Sequence, residues 1–446
     1  MKYNPVDVIK PKLYKEVFPY EEIPKIKFNN IQLPMNIQDN IWITDTSFRD
    51  GQQSMTNMDT GQMVKIFDLL HELDKGSGII RQTEFFLYSQ KDRKAVEECM
   101  KKGYEFPEIT SWIRANKEDF NLVKSMGIKE TGILMSCSDY HIFKKLNKTR
   151  SEAMKMYLDI AYAALENGIV PRCHFEDITR ADFYGFVLPL AKNLMEMRRE
   201  SKINVKIRAC DTLGLGVSHV GVELPRSVPA LIHGLTYYAG VPSESIEWHG
   251  HNDYYASVTN STTAWLYGAC SVNTTLFGIG ERVGNTPLEA MIMEYAQIKG
   301  NVKSMDLKVI NEIEEYFEKD LNYKIPPKTP FVGSEFNVTK AGIHADGLLK
   351  DEEIYNSFDT KRILNKPPLV AINSYSGIAS LAYWINSYYG LKGNDRIEKN
   401  DERLIAIKNE IDEEYEKGRT SNISNAEMES LSNKYIFSYL NTEEAI

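Results

Sequence analysis

The stretch "NIWITDTSFRDGQQSMTNMDTGQMVKIFDLLHELDK", residues 40–75, joins a strand to a helix and indicates the architecture of the chain. Its first seven residues are mostly β-branched or apolar, which predicts a buried strand. After a polar loop, Asp59 is a candidate N-cap for a helix with one apolar stripe. The stripe comprises Met63, Ile66, Phe67, Leu70 and Leu73. A strand followed by an amphipathic helix is the repeating unit of parallel α/β folds.

The same alternation recurs over about 250 residues, a length typical of a (β/α)8 TIM barrel. The predicted strands cover residues 40–46, 78–86, 107–113, 131–138, 169–176, 204–211, 245–251 and 270–278. The later helices are predicted near residues 89–102, 116–126, 149–166, 181–199, 225–240, 254–267 and 285–298. An open doubly wound sheet is the alternative, but no Gly-rich phosphate loop follows the first strand. We therefore predict the barrel.

The segments on either side of the barrel, which we place at residues 40–300, have a different character. Residues 1–39 are Pro-rich and lack sustained periodicity, which predicts an N-terminal extension draped over the barrel. The stretch at 321–333 is a Pro-rich linker, and residues 301–446 are predicted to form a smaller, mainly helical C-terminal region without a β-rich effector domain. Ser424 and Glu427 are spaced as a capping box for its last helix.

The composition favours a small-molecule protein. The chain of 446 residues has a net charge of -9 and no block of five or more basic residues, which argues against nucleic acid and anionic membranes as partners. Five scattered cysteines without C-x-x-C spacing argue against a disulfide framework and a structural zinc site. The N-terminal residues lack the apolar core of a signal peptide, and no apolar run approaches membrane-spanning length. We therefore predict a cytoplasmic protein.

Polar residues end several predicted strands, where a TIM barrel builds its active site. They are Arg49-Asp50 after the first strand, Glu176-Asp177 after the fifth, Asp211-Thr212 after the sixth, and His249 to Asp253 after the seventh. This placement predicts that all of them face one cavity. For Glu176 and Asp211, capping of the following helices is an equally good interpretation.

The pattern His249-x-His251 is the strongest local signal for a metal ion. Residues two apart on a strand point the same way, so both imidazoles can reach one ion, and Asp50 would add a hard oxygen ligand. Two imidazoles and one carboxylate leave coordination positions open for a substrate. An isolated H-x-H is more often a hydrogen-bonded turn, but the acidic strand end elsewhere favours the metal.

Two further stretches carry possible chemistry. The sequence "FGIGERVGNTPLE" (277–289) places three glycines and Asn285 after the last strand, which allows close backbone approach to an anionic ligand. The sequence "AGIHADGLLKDEEIY" (341–355) places His344, Asp346 and Tyr355 in the C-terminal region, where an ordinary capped helix is the simplest interpretation.

Six ordered motifs between about residues 40 and 360 identify a family resemblance: "DTSFRDGQQ", "HFEDITRAD", "CDTLGLG", "HGHND", "GIGERVGNTPLE" and "GIHADGLLKD". In them the chain resembles the metal-dependent barrel enzymes that include isopropylmalate, homocitrate and citramalate synthases and hydroxymethylglutaryl-CoA lyase. It is most similar to the members that make citrate from oxaloacetate with Re stereochemistry. It reads "FRDGQQ" where isopropylmalate synthases mostly read L-R-D-G-E-Q, and its second strand runs into "RQTEFFLYSQKDR" rather than a Gly-Phe-Pro stretch.

The resemblance implies a divalent metal ion, with Mn2+ foremost and Mg2+, Co2+ or Zn2+ as alternatives. The matching ligands are Asp50, His249 and His251, with Asn285 near or on the ion. Arg49 would stabilise the alkoxide that forms when a 2-oxo acid is attacked. Substrate contacts would come from Arg49, Thr212 and Gln53, and contacts near acetyl-CoA from Gly278, Gly280 and Asn285.

The resemblance also implies a base that removes a methyl proton from acetyl-CoA. Glu176 matches a catalytic carboxylate. His344 matches a residue that reaches into the barrel of the partner subunit, supported by Asp346 and Tyr355. Of the two candidate bases we favour His344, which requires a homodimer or a higher homo-oligomer.

The predicted reaction is therefore a Claisen-type condensation of acetyl-CoA with oxaloacetate. The alternatives are 2-oxoglutarate to homocitrate, pyruvate to citramalate, 2-oxoisovalerate to isopropylmalate, or cleavage of a hydroxyacyl-CoA. The lyases of the family carry a cysteine in the Gly-rich loop near the final strand, and "GIGERVGNTPLE" has none, which favours a synthase. A non-catalytic binding barrel is disfavoured by intact candidates for metal ligands, base and oxyanion partner.

Overall fold

A computed structural model describes residues 1–55 and 57–437. These residues form two compact units. The first comprises Met1–Asp306 with Lys319–Tyr323, and the second comprises Leu307–Glu318 with the described residues from Lys324 onward.

The first unit contains a closed barrel of eight parallel strands in sequential order, which confirms the predicted fold. The strands are β1 (Trp42–Asp45), β2 (Ile80–Phe86), β3 (Glu108–Ile113), β4 (Glu130–Ser136), β5 (Val170–Glu176), β6 (Lys206–Asp211), β7 (Ile246–Gly250) and β8 (Ser271–Thr274). Among the strands, the largest difference from the predicted boundaries is in β8, which ends at Thr274 and not at the predicted residue 278. It ends earlier because the chain turns there, and Phe277 adopts a left-handed conformation with φ 57°.

Strand register determines which side chains meet at the carboxyl end of the barrel. Glu176 on β5 pairs with Cys210 on β6, and Cys210 pairs with His249 on β7. The ends of these strands therefore lie in one row at the edge where TIM barrels carry their active sites.

Helices cover the barrel between successive strands. They are α1 (Thr60–Asp74), α2 (Gln90–Lys101), α3 (Asp119–Ser125), α4 (Arg150–Glu166), α5 (Leu188–Ser201), α6 (Val228–His233), α7 (Ser257–Tyr267) and α8 (Leu288–Lys299). Asp59 caps α1 in a reciprocal capping box with Gln62, as its sequence position predicted. The apolar stripe of α1 is buried from Met63 to Leu73, so the helix is held by one face.

The first 39 residues run along the outside of this unit through backbone contacts. Val6 N donates to Gly185 O at 2.8 Å, and Lys12 N donates to Asp139 Oδ2 at 2.6 Å. Arg226 Nη1 donates to Lys25 O at 2.6 Å. Hydrogen bonds to side chains of the barrel layer replace regular structure in ordering this segment.

The second unit is mainly helical, as predicted. Its helices are α9 (Val309–Lys319), α10 (Gly342–Lys350), α11 (Thr360–Leu364), α12 (Ile378–Tyr389), α13 (Arg403–Glu416) and α14 (Asn425–Ser432). Two short strands, β9 (Val338–Thr339) and β10 (Leu369–Val370), pair in parallel. The core of the unit includes Leu348, Leu381, Ile385 and Leu404. Ser424 caps α14 in the predicted capping box with Glu427.

The cysteines and the helices bear on two further predictions made from the sequence. All five cysteines are buried and free of disulfide bonds, as predicted. None of the described helices combines the length and the apolar character needed to cross a bilayer.

Candidate metal centre at the carboxyl end of the barrel

Asp50, His249 and His251 converge at the predicted edge of the barrel. One donor atom from each residue lies within 4.8 Å of the other two. His249 Nε2 is 3.1 Å from His251 Nε2 and 3.5 Å from Asp50 Oδ2. All three side chains are buried. The predicted grouping of one carboxylate and two imidazoles is present.

The local chain path explains how these residues meet. His249 is part of β7, and His251 follows the strand and forms an isolated antiparallel bridge with Asn285. Asp50 is placed by a tight turn after β1, in which its N–H donates to Thr46 O at 2.8 Å. The turn after β1 therefore supplies Asp50, and the end of β7 and the loop that follows it supply the two histidines about 200 residues later.

The charge states of the three residues suit a metal ion. Burial lowers the pKa of both histidines, to about 3 for His251, so both imidazoles are neutral near pH 7. Burial alone would raise the pKa of Asp50, but the charge of Arg49 and the nearby histidines lower it to about 2. Neutral imidazoles and an ionised carboxylate are the forms that bind divalent cations.

Asn273 on β8 orients His249 and was not indicated by the sequence patterns. Its Oδ1 lies 2.6 Å from His249 Nδ1, and strand register places the two residues opposite each other. Because an amide oxygen only accepts, Nδ1 carries the hydrogen and the Nε2 lone pair faces Asp50 and His251. The signal available in the sequence was an asparagine within a predicted strand, where asparagine is disfavoured. The structure shows that this side chain is fully buried.

Asn285 lies beside Asp50 in a position consistent with a metal site. Its Nδ2 donates to Asp50 Oδ2 at 2.8 Å, whereas its Oδ1 is buried without a hydrogen-bond partner among the described residues. His251 Nδ1 is also buried without a partner in that part of the chain. An unpaired buried acceptor is costly, so Asn285 Oδ1 fits a bound cation, and an unpaired His251 Nδ1 that carries the ring hydrogen would leave the Nε2 lone pair for the same ion.

The glycines of the loop after β8 have a structural reason that the sequence did not reveal. A Cβ at Gly280 would lie 2.6 Å from Asn285 Oδ1, and a Cβ at Gly278 would lie 3.0 Å from Asn285 O. Gly278 also has φ +67°. The loop is glycine-rich because it packs around Asn285, so anion binding is not needed to explain it.

Arg49 lies between the candidate metal ligand Asp50 and the barrel interior. Its Nη1 donates to Asp50 Oδ1 at 2.8 Å, and its Nε donates to Glu84 Oε1 at 2.8 Å. Its Nη2 has no hydrogen-bond partner among the residues that the structure describes. One edge of a fixed guanidinium is thus available to a ligand.

Glu176 is surrounded by groups that hold it ionised. His141 Nδ1 lies 2.9 Å from its Oε2, Lys145 Nζ lies 3.1 Å from both oxygens, and Ser136 donates a short hydrogen bond. Burial alone would raise the pKa of Glu176, but His141, with Ser136 and Lys145, lowers it to about 2. The sequence patterns did not single out His141, because it lies in a short π-helical segment (Tyr140–Lys145) after β4 and meets Glu176 only through the β4–β5 pairing.

Asp211 corrects the prediction that every strand-end residue faces one cavity. Its Oδ1 accepts from Leu215 N and Thr179 Oγ1, both at 2.8 Å, and its Oδ2 accepts from Gly216 N at 2.9 Å. The carboxylate is fully buried and anchors the loop after β6. This matches the alternative interpretation, in which the side chain caps backbone N–H groups.

The other predicted strand-end residues have mixed surroundings. Asp177 is fully buried and pairs with Arg180 at 2.9 Å. Thr212 is partly buried, and its Oγ1 accepts from Asp177 N at 2.8 Å and donates a long hydrogen bond of 3.5 Å to Cys210 O. Gln53 is exposed, whereas its neighbour Gln52 is buried and donates to Phe48 O.

The three predicted residues of the C-terminal region lie within the second unit. His344 is exposed on α10, and its ring centroid is 4.5 Å from that of Tyr355. Both residues line a cavity of about 400 Å³ in this unit. Asp346 pairs with Lys350 and Lys399, at 2.5 and 3.1 Å, and does not pair with His344.

The fold and this site define a TIM-barrel protein with a candidate divalent-metal centre at the carboxyl ends of its strands. Residues 40–316 match the family described as HMGL-like, and the chain belongs to this family. This confirms the resemblance seen in the sequence motifs.

Individual proteins that are similar to this chain carry more specific names than the family does. A Clostridium kluyveri protein named citrate (Re)-synthase is 66% identical over 97% of this chain and 95% of its own length. A Syntrophus aciditrophicus protein with the same name is 51% identical over 96% of this chain and 68% of its own length. Among solved structures, hydroxymethylglutaryl-CoA lyase from Pseudomonas aeruginosa aligns with a TM-score of 0.52 at 16% identity, covering 65% of this chain and 96% of that one. At 16% identity, the similarity to this solved structure shows only a shared fold.

Proposed function

We propose that this chain is a metal-dependent enzyme that condenses acetyl-CoA with oxaloacetate to form citrate with Re stereochemistry. The observation that carries the proposal is the convergence of Asp50, His249 and His251 beside the guanidinium of Arg49. Oxaloacetate is favoured over other 2-oxo acids by the 66% identity to a protein named citrate (Re)-synthase.

A divalent ion held by these residues would supply Lewis acidity to the carboxylate and ketone oxygens of the 2-oxo acid. Asp50, His249 and His251 would be its ligands, with the unpaired Oδ1 of Asn285 as a further donor. A mixed set of oxygen and imidazole donors suits Mn2+, which accepts both types.

Arg49 and Thr212 are proposed to contact the 2-oxo acid. The free Nη2 of Arg49 would donate to the ketone oxygen as it becomes an alkoxide, because a preorganised cationic donor stabilises charge that develops in the transition state. The Thr212 hydroxyl, whose oxygen already accepts from Asp177 N, would exchange its long 3.5 Å hydrogen bond to Cys210 O for one to the substrate carboxylate.

The base that removes the acetyl methyl proton is proposed to be His344. Glu176 is a weak base, because His141, Ser136 and Lys145 lower its pKa to about 2. His344 is exposed on α10 beside the ring of Tyr355 and has an imidazole suited to proton transfer. The deprotonated methyl carbon attacks the ketone carbon, and hydrolysis of the citryl thioester releases CoA and makes the condensation effectively irreversible.

We propose that His344 acts in the barrel of a partner subunit, so that the enzyme is at least a homodimer. In this arrangement residues 301–446 contribute both to the active site and to the dimer. The exposure of His344 and Tyr355 on their own unit is consistent with a role toward a second chain.

The test is release of free CoA thiol from acetyl-CoA with oxaloacetate, 2-oxoglutarate, pyruvate and 2-oxoisovalerate, before and after metal removal. We expect thiol release with oxaloacetate only, lost on chelation and restored by Mn2+. Stereochemistry is read from citrate made with labelled acetyl-CoA and cleaved by a Si-specific citrate lyase, which should leave the label in oxaloacetate. A preference for another 2-oxo acid, or label in the acetyl fragment, would reject the assignment.

A further inference from the structure

Residues 12–18 of the N-terminal extension, here called the strap, are fixed to the barrel layer at both ends. At one end, Lys12 N donates to Asp139 Oδ2 at 2.6 Å. At the other end, Phe18 is 5% exposed and packs in a small apolar core with Leu215 of the loop after β6. A backbone carbonyl between these two points is therefore a fixed hydrogen-bond acceptor. The function proposed above assigns no role to the strap.

Tyr140 connects the strap to Arg180. Its hydroxyl donates to Leu13 O at 2.9 Å, and the guanidinium of Arg180 lies over its ring at 4.1 Å from the centroid. A guanidinium over an aromatic face is held by cation–π attraction and by stacking of the two planar groups. Arg180 also pairs with Asp177, from Nε and Nη2 at 2.9 to 3.0 Å. These contacts form one connected path from the strap to Asp177.

Asp177 directs its backbone N–H at the hydroxyl of Thr212. The N–H donates to Thr212 Oγ1 at 2.8 Å, and the hydroxyl itself makes a long 3.5 Å hydrogen bond to Cys210 O. Asp177 has φ 63°, a left-handed conformation that is uncommon for residues other than glycine. Such a backbone persists where surrounding contacts determine it, and here the carboxylate is bound by Arg180 and Ser138. The orientation of the Thr212 hydroxyl therefore depends on contacts that reach back to the strap.

We propose that Tyr140 is a positioning residue for binding of the 2-oxo acid. Held by the strap, it fixes Arg180 against Asp177, and the Asp177 N–H in turn orients the Thr212 hydroxyl for the substrate carboxylate. The proposal rests on the substrate contact proposed above for Thr212. A carboxylate that does not react is bound alike in the ground state and the transition state, so loss of this positioning raises KM and leaves kcat nearly unchanged.

The test compares Tyr140→Phe and Tyr140→Leu with the matched variant Tyr3→Phe. The hydroxyl of Tyr3 also links the N-terminal extension to the barrel layer, but it donates to Glu196 Oε1 on α5, at 3.2 Å. For Tyr140→Leu we expect the KM for oxaloacetate to rise about tenfold, the order of one hydrogen bond to a charged group. Tyr140→Phe keeps the ring under Arg180 and loses only the strap contact, so a rise of about threefold is expected. In both variants kcat should change less than about twofold, and Tyr3→Phe should alter neither constant.

A double-mutant cycle identifies the route of the effect. Thr212→Val keeps the shape of the side chain and removes the hydroxyl, so it should itself raise the KM for oxaloacetate about tenfold. If Tyr140 acts through Thr212, adding Tyr140→Leu to Thr212→Val should raise KM by no more than about twofold further. Multiplication of the two increases would overturn the proposal. Equal increases of KM in Tyr140→Leu and Tyr3→Phe would also overturn it.

The outcomes separate this inference from the function on which it depends. Absence of thiol release with oxaloacetate in the unmodified protein would reject the proposed function itself. Normal KM in Thr212→Val would reject the substrate contact of Thr212 and this proposal with it, and leave the condensation standing. A raised KM in Thr212→Val with a normal KM in Tyr140→Leu would reject only the role of Tyr140.

A second variant keeps the test decisive if Tyr140→Leu does not fold. Arg180→Lys retains the charge beside Asp177 and loses the planar group that stacks on Tyr140. We expect this variant to raise the KM for oxaloacetate about threefold, with kcat nearly unchanged. An unchanged KM in Arg180→Lys would overturn the proposal.

Discussion

The contact between Asn273 and His249 offers a direct test of the metal centre. The two side chains meet at 2.6 Å between Asn273 Oδ1 and His249 Nδ1, and both are buried. Replacement of Asn273 by Leu removes the acceptor and keeps a similar volume. The Nδ1–H is then buried without a partner, and the ring is free to place its hydrogen on Nε2, which is the nitrogen that faces Asp50.

The expected magnitude follows from the role of such contacts in metal sites. Loss of a group that orients a histidine ligand typically weakens metal binding by about 10 to 100-fold, or about 1.4 to 2.8 kcal/mol. Asn273→Asp is the matched variant, because a carboxylate still accepts from Nδ1–H and increases the basicity of the ring. Its affinity should equal or exceed that of the unmodified protein.

The assay is calorimetric titration of Mn2+ into demetallated protein, with thermal unfolding of the metal-free form as the control for folding. We expect the order of affinity Asn273→Asp, then unmodified protein, then Asn273→Leu. Unchanged affinity in Asn273→Leu would refute the reasoning. Equal losses in the Leu and Asp variants would show that packing at residue 273, rather than hydrogen bonding to His249, determines the effect.

Three further predictions address the ligands, the subunit arrangement and acid stability. Asp50→Asn or His251→Ala should weaken Mn2+ binding at least about tenfold, because water replaces a fixed donor; full activity of thoroughly demetallated enzyme would contradict the metal-centred function. Mixing His344→Ala with Asp50→Asn after subunit exchange should restore activity to at most about half of the sites in each mixed dimer. No recovery despite proven exchange would reject action across subunits. The folded-state pKa of Glu176 is about 2 against an ordinary 4.5, so the unfolded chain binds the proton first as the pH falls. Its contribution to stability is therefore present above pH 4.5 and lost between pH 4.5 and 2. Urea unfolding of Glu176→Gln should show a smaller loss over that range, and an equal loss would contradict the assignment.

Local sequence signals were sufficient for the barrel and for the three metal-ligand candidates. Each strand and helix of the barrel is recognisable from the pattern of a short segment, and the Asp59 cap depends on residues three apart. His249 and His251 are two apart along one chain path, so their common direction follows from strand geometry. Asp50 joins them because the carboxyl ends of all strands meet at one edge of a barrel, which is a property of the fold class.

The tertiary structure alone decided which polar residues contact one another within that edge. Asn273 reaches His249 through the pairing of β7 with β8, and Glu84 reaches Arg49 from β2 across to the turn after β1. Asp211 has the same strand-end position as the candidate ligands, yet its carboxylate turns toward backbone N–H groups of its own loop. Such choices depend on register, burial and competition among donors from distant segments. The periodicity of a single segment does not encode these contacts. The possible contacts of a polar side chain differ only in which long-range partner satisfies a buried polar or charged group.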